Sequence, residues 1–356
     1  MKTPVVDLHC DLLLYLQMRE ERTPFDPLSR ASHGQMEEGG VKLQTLAIFT
    51  YPKKGSVESA RKQVEIFTQL PQRYKEQFAF FSGSTPLTHT SQLVEIVPAF
   101  ENASGFCEEE EPLERGLARL QYLHATLKRI LYISLTWDGE NRFGGGNGTQ
   151  IGLKDDGKQL LRWMHGKKIA VDLSHTSDQL AHGILSFIDQ HALDIPVIAS
   201  HSNFRSVTEA ARNLPDEIAK EVIRRQGVIG FNFFSPFLGQ SDSKNILKHL
   251  EHGLKLGAEK ALSFGADFFC DVDFPSIKEK YKTDIFFSDD FANSSKYPHV
   301  LAMFQSQMGL SPEHLNAIAS NNAEAFMKRM WGDSFLSKVL SIPETPRESA
   351  EKTVTK

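Results

Sequence analysis

Nine short apolar runs recur along the chain, and five of them carry a histidine or a carboxylate at or near their carboxyl end: His9, Glu101, His175, His201 and Asp267. The runs are PVVDLH (4–9), LQTLAIFTY (43–51), FAFFSG (78–83), LVEIVPAFE (93–101), ILYISLTW (130–137), IAVDLSH (169–175), IPVIASH (195–201), GVIGFNFF (227–234) and ALSFGADFF (261–269). Most are nearly continuous rather than alternating, as in strands buried on both faces of a parallel sheet. Helical patterns lie between them. In 177–191, Leu180, Ile184, Leu185 and Ile188 share one face behind a capping Ser177. Segment 214–227 opens with Pro215 and acids, carries two late arginines and ends at Gly227. At 311–319, Ser311 and Pro312 mark another helix entry. Strand–helix alternation repeated about eight times suggests an α/β fold, a (β/α)8 TIM barrel, whose usual size spans roughly 200 to over 400 residues. Nine candidate strands exceed eight by one, and FAFFSG is read as the extra element. An open doubly wound sheet is the competing architecture.

The first run poses the chemical question. Within VVDLHCDLL (5–13), Asp7, His9 and Asp11 project to one side of a strand, and Val6, Leu8 and Cys10 to the other. Burying such a row is costly unless something charged sits against it. A single His-x-Asp is most simply a core histidine bonded to a neighbouring carboxylate. Further candidates accumulate, however, at the ends of other runs: Glu101, His175, His201 and Asp267. In a barrel those carboxyl ends meet on the face that holds the active site. The donors are nitrogen and oxygen, which suits zinc, manganese, iron or cobalt and not a thiolate cluster. Two cations about 3.5–4 Å apart could share one carboxylate.

Composition narrows the classes. A net charge of −5 without a basic cluster argues against nucleic-acid binding. The three cysteines, Cys10, Cys107 and Cys270, are far apart and fit a reducing, cytoplasmic compartment. No apolar stretch reaches membrane-spanning length. The His-x-Asp pair at residue 9 stands where a secretory signal would lie, so no cleavable signal is expected. One barrel domain over residues 1–335 is expected, followed by a polar, flexible tail at 336–356. GGGNG (144–148) lacks the Lys-Ser/Thr of a phosphate loop and is read as a flexible loop. The acidic run 108–111 is read as solvated.

An ordered set of segments makes the resemblance specific. DLHCDLL (7–13), EEGGVKLQ (37–44), AFENASGF (99–106), YISLTW (132–137), VDLSHTS (171–177), PVIASHS (196–202), RNLPDE (212–217), FNFF (231–234), FGADF (264–268) and SKYPHVLAMF (295–304) follow in order, up to NNAEAFM (321–327). In this the chain resembles the renal, or membrane, dipeptidase family of zinc-dependent peptidases. The resemblance implies a (β/α)8 barrel and two divalent cations, zinc above all. His9 and Asp11 would hold one, His175 and His201 the other, and Glu101 would bridge them. Arg212 would bind the substrate's terminal carboxylate. Asp267 would contact the free α-amine and handle protons. Family members often form homodimers.

Duller readings stand beside these roles. Arg212 is otherwise a helix-flanking surface residue, and Asp267 a loop cap. Asp7 and Asp172 either orient a ligand or satisfy backbone groups. His124, His165 and His182 fall in helical patterns and read as surface or packing residues. The chain also departs from the family. Trp137 stands where a substrate-contacting histidine is usual, with Asn141 or Arg142 as the nearby substitutes. Asn102 replaces the usual glycine after the bridging glutamate. Phe269 replaces an acidic residue. The expected function is therefore a binuclear metallopeptidase cleaving dipeptides, including those with a C-terminal D-residue. The alternatives are an amidohydrolase acting on another amide or lactam, and a non-catalytic metal-binding scaffold.

Overall fold

A computed structural model describes residues 2–83, 92–239 and 243–332. The expected tail at 336–356 lies outside them. Eight parallel strands form the barrel: β1 (Val5–Cys10), β2 (Val41–Phe49), β3 (Val94–Glu101), β4 (Tyr132–Ser134), β5 (Ala170–Asp172), β6 (Val197–Ile198), β7 (Ile229–Phe231) and β8 (Leu262–Phe264). Neighbours pair in sequence order, β8 pairs back onto β1, and a single parallel bridge, Ala199 to Ile229, joins β6 to β7. The extra strand is indeed in FAFFSG: Phe78–Phe80 pairs only with β3, outside the barrel.

The apolar runs are buried as their pattern predicts, but β1 shifts register between Asp7 and Cys10. Val6 and Leu8 face the barrel interior, whereas Cys10 joins the outer cluster. Asp7 bonds Tyr297 while His9 bonds Tyr132, so the expected common face of Asp7, His9 and Asp11 is not kept. One set of side chains fills the barrel, among them Val6, Leu8, Leu43, Val97, Ala99, Tyr132, Ala170 and Ile198. Phe326, Met327 and Met330 of helix Asn322–Trp331 extend that interior cluster. The opposite set packs under the helices. Helix Asp178–Gln190 takes the capping bond expected of Ser177, and Ser311 caps Pro312–Asn316 in the same way.

Strand length is uneven, and this shapes the upper face. β2 and β3 stay paired from Leu43–Glu95 to Phe49–Glu101, whereas β4 to β8 contribute two or three residues each. The chain beyond those short strands is free to turn across the barrel mouth. Helix Pro275–Tyr281 lies over that mouth. Its base is fixed by Arg22, whose two terminal nitrogens grip Asp273 at 2.6 and 2.7 Å in a nearly buried fork.

GGGNG is not a free loop. Gly144–Gly145 pairs with Glu140–Asn141 in a small hairpin, and Gly146 bridges to Thr176. A Cβ at Gly146 would sit 1.7 Å from the Trp137 carbonyl. The glycines serve close backbone packing here. The acidic run is also engaged: Glu111 pairs with Arg119, and Glu108 accepts from the Gly55 amide.

Candidate metal centre

Each candidate side chain rides on the end of a barrel strand. His9 is in β1 and Asp11 follows it, while Glu101 is the last residue of β3. His175, His201 and Asp267 each lie three residues beyond β5, β6 and β8. His175 and Asp267 have positive φ, 66° and 64°. That backbone is uncommon outside glycine and clusters at functional sites. Asn102 has φ 87°, which accounts for the glycine usual there. Its side chain offsets the cost: it donates to the Thr50 carbonyl and accepts from the Ser104 amide and from Asn141.

The structure brings all six residues to one point, and Glu101 is its middle. Glu101 Oε2 lies 3.2 Å from His9 Nε2. Its Oε1 lies 2.9 Å from His175 Nε2 and 3.6 Å from His201 Nε2. The two carboxylate oxygens thus face different partners. Three overlapping donor groups result: His9, Asp11 and Glu101; Glu101, His175 and His201; and His9, His201 and Asp267.

The far side of every imidazole is held. His9 Nδ1 is 2.6 Å from the Tyr132 hydroxyl, which also donates to the Leu8 carbonyl. His175 Nδ1 is 3.0 Å from Asp138 Oδ1. His201 Nδ1 is 2.7 Å from Ser200 Oγ, whose proton goes to Asp172 Oδ2. In each case the partner is best satisfied by accepting from Nδ1–H. The lone pair then falls on Nε2, toward Glu101, which is the tautomer a cation requires.

Electrostatics make the same demand. Burial opposes charge on His9, but Glu101, Asp267 and Asp11 outweigh it and push its pKa up to about 10. Burial pushes the Glu101 carboxyl up, yet His9, His175 and His201 win and hold it well below the usual range. Burial, then the Glu101 charge, raises Asp11, and burial raises Asp267. So many buried carboxylates need positive charge among them. A proton on His9 is one source and a divalent cation is another. The second also explains three buried atoms without hydrogen-bond partners: His9 Nε2, Asp11 Oδ1 and Glu101 Oε2. His9 and Glu101 are close but not aligned for a hydrogen bond. Each orphaned group costs about 1–3 kcal/mol, and all three face one centre. The residues fit a divalent cation. Asp138→Asn is accordingly expected to weaken zinc affinity by about 10–100-fold, measured by competition with a chromophoric chelator; an unchanged affinity would mean that Asp138 does not orient His175.

A cavity of about 420 Å³ opens above the centre, lined by Asp11, Glu101, His175 and Asp267 below and largely by aromatic rings around. Trp137 is in its wall, 6.0 Å from the His175 ring. Neither suggested substitute for the missing histidine reaches it. Asn141 is buried, bonding Leu135, Asn102 and the amides of Phe143 and Gly144. Arg142 is committed to Asp156 and to the carbonyls of Glu108 and Glu111. Phe269 simply joins the apolar wall. Arg212 is 4% exposed, not a surface residue. Its fork donates to Ser202 Oγ and the His201 carbonyl, both at 2.9 Å, and Nε has no partner. Asp267 accepts from Asn232 at 2.8 Å. Asp7 satisfies the amides of His9 and Ala266 and the Tyr297 hydroxyl, so it braces backbone and touches no imidazole. Asp172 acts on His201 through Ser200.

Sequence reasoning missed Asp138, Tyr132, Ser200 and Lys280. Asp138, directly after the singled-out Trp137, was the one with a visible signal. Lys280 pairs with Asp138 across the cavity.

The fold and the site together define a parallel (β/α)8 barrel protein whose buried imidazole and carboxylate donors form a candidate metal centre at the carboxyl ends of the strands. Within that class the chain belongs to the membrane dipeptidase family (Peptidase family M19), whose sequence model matches residues 1–331. An uncharacterized protein encoded in the PQQ-III 3' region of Acinetobacter calcoaceticus is 30% identical over 131 residues, 33% of this chain and 40% of that protein. Another, from the pqqA 5' region of Klebsiella pneumoniae, is 28% identical over 50% of this chain and 66% of its own length. These alignments thus span less than two thirds of either relative. A metallopeptidase from Rhodobacter sphaeroides, liganded with a phosphinate mimic of the dipeptide L-Ala-D-Ala, superposes with TM-score 0.78 at 19% identity. That superposition covers 93% of this chain and all of the other.

Proposed function

We propose that the protein is a binuclear metal-dependent dipeptidase. The observation that carries this is the split of Glu101, one oxygen toward His9 and the other toward His175 and His201, with Asp267 close to His9 and Arg212 bonded to the His201 carbonyl. His9 and Asp11 would hold one cation, His175 and His201 the other, and Glu101 would bridge them, with zinc suited to this N/O set. Bound there, the two cations supply Lewis acidity toward the scissile carbonyl and an activated water.

The chain's own residues do the rest. Arg212, buried with an unpartnered Nε, is the fixed cation for the substrate's carboxylate. Asp267 sits 3.6 Å from His9 Nε2 and opens on the cavity. It would hold the α-ammonium and pass a proton to the departing nitrogen. Reading both charged ends limits the substrate to two residues. The Rhodobacter protein's Ala-D-Ala mimic supports including C-terminal D-residues.

No helix among the described residues is long and apolar enough to cross a membrane. Cys10, Cys107 and Cys270 are buried and unpaired, which supports a reducing, cytoplasmic location. A second reading, hydrolysis of another amide or lactam, is favoured by Trp137, which removes the usual donor.

The test is a library of L,L- and L,D-dipeptides alongside N-acyl amino acids, run with added zinc and then with chelator. Dipeptide turnover that chelation abolishes and zinc restores is expected. Turnover of N-acyl amino acids alone would transfer the assignment to the second reading.

A further inference from the structure

The cavity over the centre is larger and more aromatic than a small dipeptide needs. On one side Phe49, Tyr51 and Trp137 pack edge to face, with centroids 5.0 to 5.3 Å apart. On the other, Phe269 meets Phe274 edge-on at 5.6 Å, and Ile277 extends the surface along the roofing helix. Lys280 adds no free charge. Its ammonium is paired with Asp138 and lies 5.9 and 5.1 Å from the Trp137 and Tyr281 rings. The other charged groups in the lining, Asp11, Glu101, His175 and Asp267, belong to the centre below.

The two ends of the site open differently. Asp267 lines this chamber, whereas Arg212 lines an adjoining cavity. Phe237, Lys280 and Tyr281 line both. A substrate with its amine at Asp267 and its carboxylate toward Arg212 therefore presents its first side chain to the aromatic chamber.

We propose that the chamber is a specificity pocket for the N-terminal residue, and that the preferred substrates are dipeptides whose first side chain is large and apolar, aromatic rings included. This rests on the dipeptidase reading. A methyl group would leave the two ring walls facing water. A benzyl group would fill the space between them and gain edge-to-face contacts. A charged first side chain would find no free counter-charge, because Lys280 is already neutralised.

The test compares kcat/KM for Phe-Ala, Ala-Phe, Ala-Ala and Glu-Ala on the metal-loaded full chain. Apolar pockets discriminate by about 10-fold or more per methylene, so Phe-Ala should exceed Ala-Ala by at least about 10-fold, with Ala-Phe nearer Ala-Ala and Glu-Ala lowest. Ile277→Ala, on the partly exposed roofing helix, should reduce the Phe-Ala to Ala-Ala ratio, and Trp137→Ala should reduce it further. A flat panel, or a preference for Ala-Phe over Phe-Ala, overturns the pocket assignment and leaves the dipeptidase reading standing. No turnover of any dipeptide overturns both.

Discussion

Glu101→Gln should hold at most one zinc where the proposed wild-type centre holds two, and should lose catalysis by a factor on the order of 10³ or more. The amide keeps the size of the side chain but offers one weak oxygen acceptor. It cannot serve His9 on one side and His175 with His201 on the other, as the two carboxylate oxygens do at 3.2, 2.9 and 3.6 Å. Metal Lewis acidity is worth several kcal/mol to the transition state, and each 1.36 kcal/mol is about ten-fold in rate. Elemental analysis of dialysed protein together with dipeptide kinetics would decide it. A variant that kept two equivalents of zinc and near-normal kcat/KM would show that Glu101 does not join the sites.

Gly265→Ala should destabilise the fold by about 3 kcal/mol or more, read as a lower urea midpoint. A Cβ there would lie 1.9 Å from the Ser200 carbonyl oxygen and 3.1 Å from the His201 Cα. Both obstacles are backbone, so no side-chain rotation relieves them. Gly230 approaches the same oxygen from β7. These two glycines let the turn carrying Ser200 and His201 sink against β7 and β8. Because Ser200 orients His201, the variant should also bind zinc more weakly. Gly34→Ala is the control: it lies in helix His33–Gly39 with nothing near its absent Cβ, and should gain up to about 1 kcal/mol. Equal midpoints for Gly265→Ala and wild type would mean that the close approach is not required.

The barrel was legible because its strands are buried on both faces, so near-continuous apolar runs survive in the sequence as a pattern local to each strand. The setting-aside of FAFFSG came from counting, and pairing geometry explains it: Phe78–Phe80 reaches only β3. The six converging residues were legible as strand-end residues, because the barrel topology converts that position along the chain into position in space. GGGNG was misread because small residues signal both looseness and tight packing. Only the neighbouring Trp137 carbonyl shows which applies.

What the sequence determined by itself is the alternation of elements, the strand that bears each donor, and the nitrogen–oxygen character of the centre. These follow from side-chain type and period, which are local properties. What only the tertiary structure decided is who holds whom: Tyr132 behind His9, Asp138 behind His175, Ser200 and Asp172 behind His201, Lys280 neutralised across the mouth. Asn141 and Arg142, next to the expected gap, turned out to be committed elsewhere. Hydrogen bonds and ring contacts between segments that lie 28 to 142 residues apart depend on distances of a few ångströms, and no periodicity along the chain encodes them.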